Sequence, residues 1–252
     1  MNWFDPEDRS SPVISAEKQM RGGHRGYTVQ LPETAVVFFM GYGMEVAAEY
    51  PSHILTEKFP RFLRPSPIGQ FDTGNHACFI NGGSAAPMAA DTLECLAASG
   101  VKRGGVMGLC GAIAPEVNVG DVLLPPRVLV EEGTSLHYAQ DAQWVCPDAA
   151  LLERARAAFP EAKDKLLVST DAVYRQTYRT EARWRGMGCG GVDMETSAML
   201  CVGRALGVEV VALLVASDKH PEQEGDAPWG WHITREMREK FLRRGIDFAL
   251  TL

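Results

Sequence analysis

The 252-residue chain has no paired cysteines. Its six, at positions 78, 95, 110, 146, 189 and 201, show no C-x-x-C spacing and no histidine-rich neighbourhood. Neither a disulfide framework nor a metal site is therefore expected, and most of the thiols sit in apolar company where cysteine behaves as a small hydrophobe. Long apolar runs are also missing. Nothing approaches the roughly 18 consecutive apolar residues of a membrane span, and the polar start "MNWFDPEDRSSPVISAEKQMRGGHRG" lacks the apolar centre of a signal peptide. A reducing cytoplasm is the expected location. Basic excess is absent too: a formal charge of −7 and a pI near 5.4 argue against a nucleic-acid or anionic-membrane surface. The expected partner is a small molecule.

What is present reads as one domain. With 46% apolar and 23% charged residues, the chain is long enough for a single full core. Residues 1–30, rich in Ser, Arg and Gly, are expected to form a flexible arm that orders only by packing on something else, and residues 31–252 a catalytic domain. "TAVVFFMGYG" reads as a buried strand entering a glycine turn, and "MEVAAEY" as the start of a helix. In that arrangement backbone N–H groups can face an anion. "HACFIN" is a second strand, followed by Gly82 and Gly83 and a helix closing at Gly100. These two glycines suit either close approach to a ligand or a plain tight turn.

"RGGVMGLCGAI" is expected to be a strand that bulges within the sheet, and it lacks the fixed glycine register of a dinucleotide fingerprint. "DAALLERARAAF" and "RTEARWRGMG" read as helices, and "KLLVSTDAVY" as a strand running into a polar loop. "VEVVALLVASDKH" reads as a buried parallel strand. The expected fold class is α/β: a mixed central sheet, partly barrel-like, flanked by helices.

The stretch "GVDMETSAML" places Asp193 and Glu195 on either side of Met194, where an apolar run turns into a helix. First-turn acids complement the helix dipole, but open α/β sheets also place ligands beyond the carboxyl ends of their strands. Asp218, ending its own strand, is a second candidate acid.

Four stretches together resemble one family. "GVDMETSAML" looks like the V-[ED]-M-E-[ST]-A signature of the nucleoside phosphorylase and nucleosidase superfamily, of the purine and uridine phosphorylase-like type. "GLCGAIAPEVNVGDVLLP" is similar to its glycine-rich strand and G-D-V segment, "EEGTSLHY" to a loop of uridine-cleaving members, and "VASDKH" to the S-D strand end of purine-cleaving members. The resemblance implies a nucleoside phosphorylase-like fold and cleavage of an N-glycosidic bond, most simply phosphorolysis of a purine nucleoside to free base and ribose 1-phosphate. It implies no cofactor, with phosphate as co-substrate. The alternatives are a uridine phosphorylase, a hydrolytic nucleosidase of the AMP nucleosidase type, and a nucleoside-binding module without turnover.

By the same resemblance, Glu195 grips the ribose hydroxyls and Met194 packs on the sugar. Asp218 hydrogen-bonds or protonates the purine ring nitrogen, a role suited to a carboxyl raised by burial. Asp193 stays open between ligand support and helix capping, and Lys219 is the alternative partner for Asp218. Val173, Tyr174, Gln176 and Arg179 fall where members line the base pocket, with Tyr138 and His137 in the "SLHY" loop. Gln176 and Arg179 point to uridine, and "SDK" to purine.

Phosphate is expected at Gly41, Gly43 and Gly108. Glu45, Val106 and Leu109, however, stand where family members keep arginine, arginine and serine or threonine. A substitute arginine would have to come from elsewhere, such as Arg61, Arg64 or a neighbour's arm carrying His24 and Arg25. A homo-oligomer, dimer or hexamer, is expected.

Overall fold

The computed structural model describes residues 5–22, 29–139 and 142–252; His24 and Arg25 lie outside them. Alternation organises the central strands. In β1 (Thr34–Phe39) Ala35 and Val37 join one core cluster while Val36 and Phe38 join another, as expected for a strand covered on both faces.

β1 runs parallel to β4 (Cys78–Asn81) and to β5 (Arg103–Ala112), the longest contact of the sheet being between β5 and β11 (Glu209–Lys219), also parallel. β10 (Cys189–Asp193) meets the end of β5 antiparallel and pairs parallel with β9 (Leu166–Thr170). β2 (Ser52–Phe59) and β3 (Ser66–Phe71) form an antiparallel hairpin added to β4, while β6 (Val122–Leu123), β7 (Val128–Glu131) and β8 (Trp144–Val145) complete an eleven-stranded mixed sheet. The expectation of a mixed sheet flanked by helices holds.

On one face α3 (Ala85–Ala98) and α6 (Thr196–Leu206) close the larger core cluster. On the other, α4 (Ala149–Ala158) and α7 (Arg235–Ala249) close a second cluster around Phe38, Phe79, Met107 and Phe241. α5 (Tyr178–Gly186) packs through Trp184 on a third, with Val168 and Val192. The short α2 (Gly43–Ala47) follows β1. Within the expected arm, α1 (Ala16–Gly22) is helical, and Met20 is buried in the larger cluster, so this part of the arm packs on the domain's own α3. Five cysteines are buried, Cys146 is exposed, and all six are free.

The expected bulge lies on β11 instead of β5. Ala216 pairs with Cys110 and Asp218 with Gly111, leaving Ser217 as the extra residue. A bulge bends its strand and re-aims the next side chain. Here that side chain is Asp218, and the Ser217 hydroxyl oxygen lies 3.2 Å from the Cys110 carbonyl.

Candidate active site

The bulge delivers Asp218 to the carboxyl end of the sheet, beside the end of β10. Gly111 pairs with Asp218 on one side, while β10's Val192 pairs with the same glycine on the other, so the acids of β10 and β11 flank a single strand. The buried Cys110 thiol registers both: burial pushes it well above its ordinary range, and the charges of Asp193 and Asp218 push it further.

Asp218 is almost fully buried and richly donated to. Trp229 Nε1 donates to Oδ2 at 2.6 Å, His220 Nε2 lies 3.0 Å from the same oxygen, and the Ser217 hydroxyl donates to Oδ1. Burial alone would raise this carboxyl. The hydrogen bonds from His220, Ser217 and Trp229 outweigh it and hold Asp218 below its ordinary value, contrary to the raised acid expected from sequence. Lys219 points elsewhere, donating to the carbonyls of Ala114, Pro115 and Val117, so it does not pair with Asp218.

His220 stands two residues beyond Asp218, on the same side of the chain as strand alternation requires. Its Nδ1 lies 2.7 Å from Glu181 Oε1, and Arg185 Nη1 lies 3.6 Å from the other Glu181 oxygen. Burial would lower the imidazole, but hydrogen bonds to Asp218 and Glu181 and the charges of both carboxylates raise it to about 9. Room for the ring comes from Gly111, where any Cβ would fall 2.4 Å from His220 Nε2.

Glu195 closes the other side. It sits at the start of α6 and accepts from the Ala85 N–H at 2.6 Å and from its neighbour Met194 at 3.3 Å. Ala85 adopts φ 68, a left-handed conformation unusual for a residue with a Cβ, which costs about 1 kcal/mol or more and tends to gather at functional sites. Burial, then the charge of Asp193, pushes Glu195 upward. Asp193 faces inward, accepting from the Ser169 hydroxyl at 2.5 Å and from the Thr196 N–H at 3.0 Å. It therefore ties β9 to the start of α6.

Of the three glycines expected at phosphate, two are explained by packing: a Cβ on Gly43 would fall 2.3 Å from the Phe38 ring, and one on Gly108 would fall 3.0 Å from Leu214. Gly41 is exposed, and a Cβ there would lie 3.9 Å from Arg238 Nη1. The Arg238 Nε is buried without a hydrogen-bond partner, and no carboxylate pairs with the guanidinium among the described residues. One turn earlier Arg235 lies over the Tyr42 ring, 5.0 Å from its centroid. Arg61, named from sequence as a substitute ligand, is buried and committed instead to the carbonyls of Arg64 and Asn81 and the Thr92 hydroxyl. Its Nε and Nη1 donors are spent inside the fold.

The base-pocket candidates follow β9, the strand beside β10. Val173, Tyr174 and Arg179 are exposed and Gln176 is half-buried, all on the turn and helix start that follow β9. Tyr174 stands almost wholly in solvent. Tyr138 donates its hydroxyl to Glu94 of α3 at 3.1 Å, binding its loop to that helix. Sequence reasoning did not name Gly111, Glu181, His220, Trp229 or Arg238. Only His220, two residues from a candidate acid, and the aromatic pair of "PWGWH" carried a local signal.

Residues 33–247 match the model of the phosphorylase superfamily. The chain belongs to that superfamily. Guanosine phosphorylase from Halorubrum lacusprofundi is 26% identical over 144 residues, 56% of this chain and 60% of that protein. Uridine phosphorylase from Salmonella typhimurium is 27% identical over 161 residues, 56% of this chain and 63% of that one. The chain thus spans about three fifths of the length of these relatives. Among solved structures, AMP nucleosidase from Bacteroides thetaiotaomicron superposes with a TM-score of 0.72 at 22% identity, covering 92% of this chain and 93% of that one. Purine nucleoside phosphorylase from Toxoplasma gondii, in complex with immucillin-H, gives 0.76 at 18%, covering 90% and 97%. At these identities the likeness concerns the fold of the superfamily.

Proposed function

We propose that the protein cleaves the N-glycosidic bond of a purine nucleoside, with phosphate as the acceptor of the ribosyl group. The observation that carries this reading is the placement of two acids, the buried Asp218 and the half-buried Glu195, on either side of the β5 end. Asp218 lies across one strand from β10, after which Glu195 opens α6. Two inter-strand steps of about 4.8 Å separate their strands by about 10 Å, a span suited to a ligand with hydroxyls at one end and a ring nitrogen at the other.

Glu195 would accept hydrogen bonds from the ribose hydroxyls, the charge-assisted kind that fixes a sugar, with Met194 against its apolar face. Asp218 would meet the ring nitrogen of the departing base. As electrons leave the glycosidic bond, the sugar gains oxocarbenium character and the base gains charge, and neutralising that charge lowers the barrier.

Arg238 supports the choice of phosphate. Glu45, Val106 and Leu109 remove the expected ligands, but an unpaired guanidinium beside the exposed Gly41 turn offers bidentate anion recognition from a different element. The relatives include purine- and uridine-cleaving phosphorylases, and the purine reading is preferred because Asp218 has a ring nitrogen to serve only there. Base release from inosine, guanosine, adenosine and uridine, with and without phosphate, tests it. Phosphate-dependent release of purine and formation of ribose 1-phosphate is expected, whereas free ribose formed equally without phosphate would favour the hydrolytic reading. The proposal includes an assembly of at least two copies, which gel filtration checks against the 27.5 kDa monomer.

A further inference from the structure

We propose that His220, held between Glu181 and Asp218, is the proton reserve of the site, supplying through Asp218 the proton that the departing base takes. This rests on the nucleoside reading. A buried carboxyl that accepts from an indole, a hydroxyl and an imidazole is an ionised acceptor, and it has no proton of its own to give. The indole and hydroxyl donors are too weak as acids to release theirs, and the donor that can is a charged His220, whose Nε2 lies 3.0 Å away.

The geometry is built for that transfer. Both imidazole nitrogens face carboxylates, Nδ1 at 2.7 Å and Nε2 at 3.0 Å, so a charged ring has a partner at each end and a neutral ring keeps one donor, toward Glu181. The ring is nearly enclosed, at 14% side-chain exposure. Gly111 leaves open the volume it fills. The ionisable groups facing it are Asp218 at the end of β11 and Glu181 on α5, with Arg185 of α5 behind Glu181. Arg185 pairs with Glu181 at 3.6 Å and also donates to the Ile113 carbonyl, at 3.4 Å. That arrangement keeps Glu181 aimed at the ring.

The electron pair of the bond between the anomeric carbon and the base moves into the purine ring, whose imidazole nitrogen takes a proton that passes from His220 Nε2 to the Asp218 carboxylate and from there to the base. Phosphate oxygen bonds to the anomeric carbon, the base leaves neutral, and the imidazole remains neutral with its Nδ1–H on Glu181 until solvent recharges it. His220 touches no substrate atom and acts through Asp218.

The test compares inosine with 7-methylinosine, whose base leaves neutral without any added proton. His220→Gln keeps a polar side chain but carries no transferable charge. It is expected to lower kcat on inosine by about 10²-fold while changing 7-methylinosine within about twofold. Glu181→Gln, which preserves shape, is expected to move the alkaline limb of the inosine pH profile from near 9 toward neutrality, and it decides the matter if His220→Gln fails to fold. Equal losses on both substrates, or an unmoved alkaline limb, would leave His220 a structural tie between α5 and β11 and overturn the proposal. Wild-type protein that phosphorolyses 7-methylinosine with no effect of either variant on inosine overturns the reserve alone, whereas release of base from neither nucleoside removes the nucleoside reading and the reserve with it.

Discussion

Glu195 shows how a site residue can be costly to the fold that carries it. Its carboxyl is pushed upward by burial and by Asp193, so the unliganded folded state holds a proton that the unfolded chain would release. A carboxyl raised on folding withdraws stability as pH climbs from about 4.5. Glu195→Gln is therefore expected to lower nucleoside cleavage by about 30- to 1000-fold, matching about 2–4 kcal/mol of transition-state stabilisation, while raising the melting temperature of the unliganded protein at pH 8. Paired activity assays and calorimetry check both halves; a destabilised variant would mark Glu195 as a structural cap. Arg238 makes a complementary case. Arg238→Met is expected to raise the KM for phosphate at least tenfold, as loss of a charge-assisted anion contact of about 1.5–3 kcal/mol implies, with little change in nucleoside KM. Titration of phosphate by calorimetry reads the same loss without turnover.

Elements differ in how plainly their residues announce them. β11 was legible as a continuous apolar run of a strand covered on both faces, and the motif around Glu195 through its family resemblance, and the acid at each strand end followed. The hairpin of β2 and β3 was not, since β2 is an exposed edge whose "SHILTEKF" buries little beyond Phe59, leaving no clean alternation to read. The bulge was assigned to glycine-rich β5, yet an extra residue is a property of two strands in register, and Ser217 of β11 carries it. Arg238 escaped for a similar reason: its meaning comes from the docking of α7 against a turn near the other end of the chain. The segment between β11 and α7 adds a prediction of its own. Trp229, half exposed, spends its indole N–H on Oδ2 of Asp218, the carboxylate proposed to meet the base, so a purine that takes this oxygen displaces the indole. Trp229→Phe is expected to tighten purine nucleoside binding about fivefold, matching a lost competing hydrogen bond of about 1 kcal/mol, and to flatten the change in tryptophan fluorescence on binding. Weaker binding would assign the indole to stacking on the base instead.

At the scale of the whole molecule, the Glu181, His220 and Asp218 row couples function to stability. It links α5 to the end of β11, two elements otherwise held by separate core clusters. His220 is raised from 6.5 to about 9 on folding. For a base with a raised folded-state pKa, the stabilisation is fully present below 6.5 and is lost as pH rises through 9. Asp218, depressed in the folded state, works at the other end of the scale: its contribution is present above about 4 and is lost in acid. The two shifts share one hydrogen bond, so the alkaline loss is assigned to His220 alone, at about 2–3 kcal/mol from a shift of this size. For a chain of this length that corresponds to a fall of about 5–10 °C in melting temperature between pH 6.5 and 9.5. His220→Gln is expected to melt lower than the wild type at pH 6.5 and to converge with it by pH 9.5, because the variant has no charge to lose. Calorimetry across that window, at constant ionic strength, separates this outcome from a constant offset. A constant offset would mean that His220 stabilises the fold by packing alone and carries no proton at neutral pH.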